Sequence, residues 1–322
     1  MLFEELKTEL HSRGITQNRK TYEWHGVKVT ILLFVMSSVL SSACVHISPL
    51  TSPTPSPSGM PAAQLPTPTL KPINPCLDGG TLSARQKPSA FGAAYTPDGL
   101  RLYRPRALLD AAVAVDGVEI DKKNALLYYI DEKGILLTAR VEEEAVQVLG
   151  EVSIDGQQFR GLTDVDAYRM QDGTVRLAYL INSQQASFIC LAAAEDGQDF
   201  SLLAQLFRLE EPAEWTALSF IQLADRSWLL AVQAGEMVKL WRSPDGIIFI
   251  PFNELLLGGE PEFALALRGK VRLYLNDGEV ISYTSSDGGE AWFKEKVIQL
   301  APGAGKVAYV PITRLLFYAE GD

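Results

Sequence analysis

Five short apolar runs recur along this 322-residue chain, and their spacing limits the fold more than any other feature. They are "ALLYYI" from Ala125, "VRLAYL" from Val175, "SWLLAV" from Ser227, "VRLYLN" from Val271 and "TRLLFY" from Thr313. Their starts lie 50, 52, 44 and 42 residues apart. Each run has strand length and is rich in β-branched or aromatic residues. No helical period of useful length lies between them. Strand-rich units repeating every roughly 40–50 residues are the pattern of a β-propeller of four-stranded blades.

A second motif keeps phase with the first. It reads "AEDGQDF" from Ala194, "SPDGIIF" from Ser243 and "SSDGGEAW" from Ser285. Asp-Gly is a hairpin signal, because Gly takes positive φ and the Asp side chain accepts bonds from nearby backbone amides. Each copy is expected to link the third and fourth strands of a blade, with the following aromatic packed beneath. A motif present once per blade does not mark a single active site. Asp98, Asp196, Asp245, Asp287 and Trp292 are therefore read as turn residues. Arg176, Arg272 and Arg314 repeat in the same way and are read as structural or rim residues.

The last repeat supplies only two strands before the sequence stops at Asp322. The segment "FGAAYTPDGLRLYRP" from Phe91 has a strand, an Asp turn at Asp98 and another strand, with no inner strands before them. These two N-terminal strands are expected to complete the C-terminal blade, which leaves no open sheet edge at the join. The count is then five blades. The first blade lacks the Asp-Gly turn, having "ARVEEEAV" there, and "SIDGQQF" from Ser153 is placed between blades.

The propeller is assigned to residues 76–322. Residues 45–75 form a linker rich in Pro, Thr and Ser, holding nine of the chain's 18 prolines. Proline removes backbone donors and fixes φ, so this stretch is a semi-rigid spacer. Residues 1–44 read as an export signal: Arg19, Lys20 and Lys28 precede an apolar run over 29–40. "SSAC" resembles the bacterial lipoprotein signal, which implies lipidation of Cys44 and a membrane anchor, although Leu40 stands one place earlier than the family's aliphatic residue. An uncleaved signal anchor over 29–47 is the alternative. Either places the domain outside the cytoplasm, on the membrane or secreted. There, Cys76 and Cys190 form a disulfide or stay as two buried thiols.

Charge and histidine placement narrow the chemistry. Net charge is -10 with no basic stripe, which speaks against nucleic acid as a partner. The three histidines, His11, His25 and His46, all precede the propeller. A Ser-His-Asp mechanism is excluded there, as is a zinc site of the usual His or Cys kind. Neither a metal nor a cofactor is expected. "GAGK" from Gly303 lacks the spacing of a phosphate loop and reads as a blade-connecting turn.

"SSDGGEAW" looks like the Asp-box of sialidases and related BNR-repeat propellers. The stretch from "TDVDAYRMQDGTVRLAYL" through "LAAAEDGQDF" resembles blades of sialidase-like and five-bladed glycoside-hydrolase-like propellers. No sialidase arginine triad can be matched residue by residue. The five-bladed arabinanase and xylosidase-type hydrolases place two Asp and one Glu near the starts of successive inner strands. The matching positions here are Asp116, Asp164 and Glu214, with Glu211 a rival for the last and Gly117 replacing the family's proline. The resemblance implies that these carboxylates converge on the channel. Two functions follow as expectations. One is a binding module for a glycan or protein partner at the channel face, where Trp215, Trp228 or Trp241 either stack on sugar or pack the core. The other is a glycoside hydrolase.

Overall fold

A computed structural model describes residues 18–24, 27–33, 74–80, 89–142, 145–183, 185–209, 215–266, 269–300 and 306–319. The chain divides into two units, Met1–Pro68 and Thr69–Asp322. In the first, β1 (Asn18–Trp24) pairs antiparallel with β2 (Val27–Leu33). Cys44 and nearly all of the linker lie outside the described residues. No helix among the described residues is long and apolar enough to cross a membrane.

The second unit is an all-β, five-bladed propeller. Blade one has β5 (Ala114–Glu119), β6 (Ala125–Ile130), β7 (Leu136–Val141) and β8 (Val146–Glu151). Blade two has β11 (Leu162–Arg169), β12 (Val175–Asn182), β13 (Ser187–Ala194) and β14 (Asp199–Leu209). The small hairpin of β9 (Ser153–Ile154) and β10 (Gln157–Gln158), placed between blades by sequence, adds to the outer edge of blade two. Blade three has β15 (Trp215–Gln222), β16 (Trp228–Ala234), β17 (Met237–Ser243) and β18 (Ile250–Leu255). Blade four has β19 (Glu260–Leu265), β20 (Val271–Asn276), β21 (Val280–Ser285) and β22 (Phe293–Ile298).

The fifth blade joins the two ends of the unit, as the truncated last repeat required. Its order is β23 (Val307–Val310), β24 (Leu315–Ala319), β3 (Ser89–Tyr95) and β4 (Tyr103–Ala112). Leu315 to Ala319 pair antiparallel with Tyr95 to Phe91. Apolar side chains fill five separate cores, one between each pair of neighbouring blades. The core of Phe91, Ala93, Val115, Leu127 and Phe317 lies between the fifth blade and the first, so the ring is closed.

The Asp-Gly turns join third to fourth strands. Asp98 Oδ1 accepts from the amides of Leu100 and Arg101. Asp196 accepts from Gln198 and Asp199, and Asp245 from Ile247 and Ile248, at 2.8–3.0 Å. At the wider turn Ser285 Oγ donates to Asp287 Oδ1 at 2.6 Å, as Ser243 Oγ does to Asp245, but the amide donor is Ala291, four residues on. Trp292 stacks on Phe263. These turns also bind the preceding blade. Tyr128 Oη of blade one donates to Gly197 O, and Tyr274 Oη of blade four donates to Gly99 O. Arg272 donates to Asp98 O while its guanidinium pairs with Glu295 at 2.8 Å.

Before the first blade, a short helix α1 (Pro75–Asp78) is capped by Asn74, whose side chain accepts the Cys76 amide. Cys76 forms a disulfide with Cys190 of β13, Cα to Cα 5.9 Å. Tyr179 Oη donates to Cys76 O beside it.

Candidate functional site

Inner strands alternate side chains between the channel and the blade interior. One register position faces the channel in four blades: Asp116 of β5, Asp166 of β11, Ser219 of β15 and Glu262 of β19. Their cross-strand partners are Tyr128, Ala178, Ala231 and Tyr274. All four are buried, between 1% and 3% exposed.

A repeating hydrogen bond ties these positions to the next blade. Asp116 Oδ2 accepts a short bond from the Ala167 amide. Asp166 Oδ1 accepts from the Phe220 amide at 3.2 Å. Ser219 Oγ accepts from the Phe263 amide at 2.9 Å and donates to Glu262 Oε2 at 3.3 Å. Each amide belongs to the residue just after the next blade's channel residue. These bonds fasten the inner ring and aim the carboxylates at one point. Oxygens of Asp116, Asp166 and Glu262 lie within 4.8 Å of one another. The second oxygen of Asp166, Oδ2, is buried without a hydrogen-bond partner among the described residues.

One layer toward the strand starts, the channel is spanned by an ion pair. Lys306, just before β23 of blade five, reaches across to Asp164 of blade two. Its Nζ lies 2.9 and 3.0 Å from the two Asp164 oxygens and donates to Val165 O at 2.9 Å. The Leu218 amide donates to Asp164 Oδ2 at 2.7 Å. Both charged side chains are at most 3% exposed. Burial alone would neutralise the ammonium, but Asp164, Asp166, Glu262 and Asp116 together hold the Lys306 pKa above its usual value.

Above this plug the acids form the floor of a cavity of about 170 Å³ that opens toward the C-terminal ends of the inner strands. The residues two positions past each floor residue, Val118, Tyr168, Ile221 and Ala264, line it with Ile312 of blade five. The result is an acidic floor under a largely apolar collar. A larger concavity of about 980 Å³ lies on the fifth blade's outer strands, lined by Tyr95, Tyr103, Arg104, Arg106, Lys122 and Lys123. It brings no convergent buried groups together, so the channel cavity is taken as the candidate site.

Burial pushes the Asp116 carboxyl up to about 6, against the opposing effects of Lys306 and the Ala167 amide. Burial, then the charge of Asp116, raises Asp166 and Glu262 well above ordinary carboxylates. Burial, then Asp164, lifts Glu260 to about 7. The folded chain therefore holds protons that the unfolded chain has released, so stability falls as pH rises through this window. The rise of Asp116 from 3.8 to about 6 corresponds to on the order of 3 kcal/mol. Denaturant unfolding in metal-free buffer should show stability declining between about pH 4 and pH 7, less steeply in Asp116→Asn. A flat or rising profile would contradict the buried, uncompensated acids.

The residues expected from sequence are distributed as follows. Asp116 is at the centre of the cluster. Asp164 lies one layer away, committed to Lys306. Glu214 and its rival Glu211 lie outside the described residues. Asp166 and Glu262 were not singled out by sequence, and Glu262 comes from the fourth blade rather than the third. Trp215, Trp228 and Trp241 pack between blades two and three, away from the cavity. The lack of His and of a Cys cluster in the propeller excludes zinc of the usual kind, whereas the acids gathered here are all carboxylates.

No protein-family model and no curated protein matches the chain. Solved structures of similar form include a family-43 glycoside hydrolase from Xanthomonas citri complexed with xylose, at 13% identity, covering 64% of this chain and 85% of that one, TM-score 0.45. The RS223 β-xylosidase aligns at 10% identity over 64% of this chain and 85% of its own, TM-score 0.48. The SapL1 lectin in complex with α-methyl fucoside aligns at 12% identity over 75% and 90%, TM-score 0.47. These likenesses concern strand arrangement, and no residue role is carried over from them.

Proposed function

We propose that the protein is a carbohydrate-binding propeller whose ligand enters the channel mouth above Asp116, Asp166 and Glu262. The observation that carries this reading is the cavity itself, with its acidic floor and apolar collar. A sugar ring presents hydroxyls at its edge and C–H groups on its faces. The floor offers oxygens to the first, and Tyr168, Val118 and Ile221 offer apolar contact to the second. The cavity suits one terminal ring rather than a long chain segment. The Cys76–Cys190 disulfide supports an extracytoplasmic setting, with Cys44 as lipid anchor at the end of the spacer.

A second reading, glycoside hydrolysis, draws on the raised carboxyls, which include an acid near 6 at Asp116 and more strongly raised ones beside it. The geometry disfavours an inverting reaction. Inverting hydrolysis needs carboxyl groups about 6.5–9.5 Å apart with a water between them. Here oxygens of the three acids come within 4.8 Å of one another, and two of the acids are fastened to neighbouring backbone amides. Glycan arrays and a panel of nitrophenyl glycosides separate the readings: the protein should retain specific glycans and release no nitrophenol. Turnover abolished by Glu262→Gln would transfer the assignment to the hydrolase.

A further inference from the structure

The larger concavity, about 980 Å³, gathers four cations, Arg104, Arg106, Lys122 and Lys123, and no acid among the described residues. The chain as a whole carries a net charge of -10, so this cluster runs against the general balance. Among the described residues no carboxylate forms an ion pair with any of the four. Asp121, next to Lys122, is taken up by the amides of Lys123 and Asn124 and by the Asn124 side chain. No basic stripe marks the cluster in the sequence, because β4 and the turn between β5 and β6 bring it together from two blades. A bulge in β4 shapes it. Tyr95 pairs with Tyr103 and Ala93 with Arg106, so two steps along β3 oppose three along β4. The extra residue falls beside Arg104, whose φ of 53° lies in the left-handed region. A bulge breaks strand alternation and re-aims side chains. Tyr103, Arg104 and Arg106 thereby all line one concavity. Arg106 is anchored by a bond to Glu142 O at 2.8 Å, and Tyr95 Oη accepts from Arg314 at 3.1 Å. Tyr95 and Tyr103, directly opposite each other, stay 39% and 46% exposed.

We propose that this concavity is a second binding site and takes an acidic oligosaccharide, a run of sugar rings bearing carboxylate or sulfate groups. Guanidinium and ammonium groups recognise such anions, Arg through paired hydrogen bonds and Lys as a point charge. In a chain that is otherwise acidic, the four cations steer an anion to this one place. The exposed tyrosine faces offer the flat apolar surface on which the C–H side of a sugar ring packs. A volume of about 980 Å³, against about 170 Å³ in the channel, suits several rings rather than one. An anionic membrane presents a flat face, which a hollow surface meets only at its rim. The two cavities are neighbours: Ile312 lines the channel cavity, and Thr313, the next residue, lines the concavity. The anion site stands on the cations and the concavity alone; the choice of a saccharide as its ligand rests on the carbohydrate reading above.

Calorimetric titration of the full-length protein with an oligogalacturonate and with a heparin oligosaccharide, at low and at high sodium chloride, tests the site. At least one probe should bind at low salt and lose more than roughly tenfold in affinity at high salt, where exposed charges are screened. The fully methyl-esterified oligogalacturonate, which is neutral, should bind more weakly by a similar factor. Lys122→Glu/Lys123→Glu and Tyr103→Ala should each weaken binding of the acidic probe by more than roughly tenfold. Lys294→Glu/Lys296→Glu, the same change of charge on exposed positions of β22 in blade four, should leave it unchanged. No binding of either probe at low salt overturns the proposal, as does wild-type affinity in both concavity variants with their unfolding still cooperative. Tighter binding to phosphatidylglycerol vesicles or to a single-stranded oligonucleotide, lost in the same variants, keeps the anion site and overturns the saccharide. Loss of the acidic probe in Asp116→Asn but not in the lysine variant would place it in the channel and overturn this site. Acidic-probe binding with no neutral glycan retained sustains this site and defeats the channel reading instead.

Discussion

Lys306→Met is expected to cost about 3–5 kcal/mol of stability, because it removes one partner of a buried ion pair and leaves the other without compensation. Asp164 would keep the Leu218 amide but lose both contacts to Nζ, in a site at most 3% exposed. The four remaining acids would also lose the only positive charge among the described residues that lowers their pKa values in common. Chemical denaturation should show the midpoint falling with an unchanged slope. The double variant Lys306→Met/Asp164→Leu should recover much of the loss, since replacing both partners removes the stranded charge. A Lys306→Met protein as stable as wild type would mean that the pair does not hold the channel.

Loss of the Cys76–Cys190 bond is the second large effect. The bond closes a loop with a sequence separation of 114 residues. On the chain-entropy account a loop of this order contributes about 4–5 kcal/mol. It ties α1 to the third strand of blade two, where Cys76 joins the core between blades one and two. Cys190→Ser should lower the unfolding temperature by roughly 10 °C for a domain of this size. Reduction of the wild-type protein should produce a similar drop, and Cys190→Ser should then be insensitive to reductant. Equal unfolding temperatures in the oxidised and reduced wild-type protein would contradict the staple.

The propeller was legible in sequence because its signals are local and repeated. A strand run and an Asp-Gly turn each recur per blade, and the missing half-repeat at one end is found at the other. The site was harder, because it is assembled from single residues on different blades. Asp164 stands at the head of its inner strand and was chosen for that reason, yet Asp166, two residues on and on the same face, reaches the cluster. What distinguishes them is Lys306, more than a hundred residues away and set aside with the "GAGK" turn. Its role depends on a contact across the channel that no local pattern encodes. Glu262 was missed because the family pattern directs attention to three successive blades.

A periodic signal for the floor was nevertheless present. Asp116, Asp166, Ser219 and Glu262 each stand nine residues before the first residue of their blade's second strand: 125 − 116, 175 − 166, 228 − 219 and 271 − 262. Equal hairpin lengths in four blades impose this offset. Counting back nine residues from the apolar runs at Ala125, Val175 and Val271 therefore finds the channel position, and in the third blade the count starts at Trp228, one residue into its run, whereas looking for acids at strand heads finds the neighbouring layer. The fifth blade breaks the pattern, because its inner hairpin is shorter, with Val310 paired to Leu315.

The central claim is that ligand binds on the channel floor. The most direct test is calorimetric titration of the best-retained glycan into wild-type protein, Asp116→Asn, Tyr168→Ala and the peripheral turn variant Asp245→Ala. The account predicts binding by wild type and Asp245→Ala with equal affinity. It predicts losses of more than roughly tenfold in Asp116→Asn and Tyr168→Ala, the cost of removing a central buried contact. Full affinity in both floor variants, with their unfolding still cooperative, would contradict it and move the ligand site off the channel.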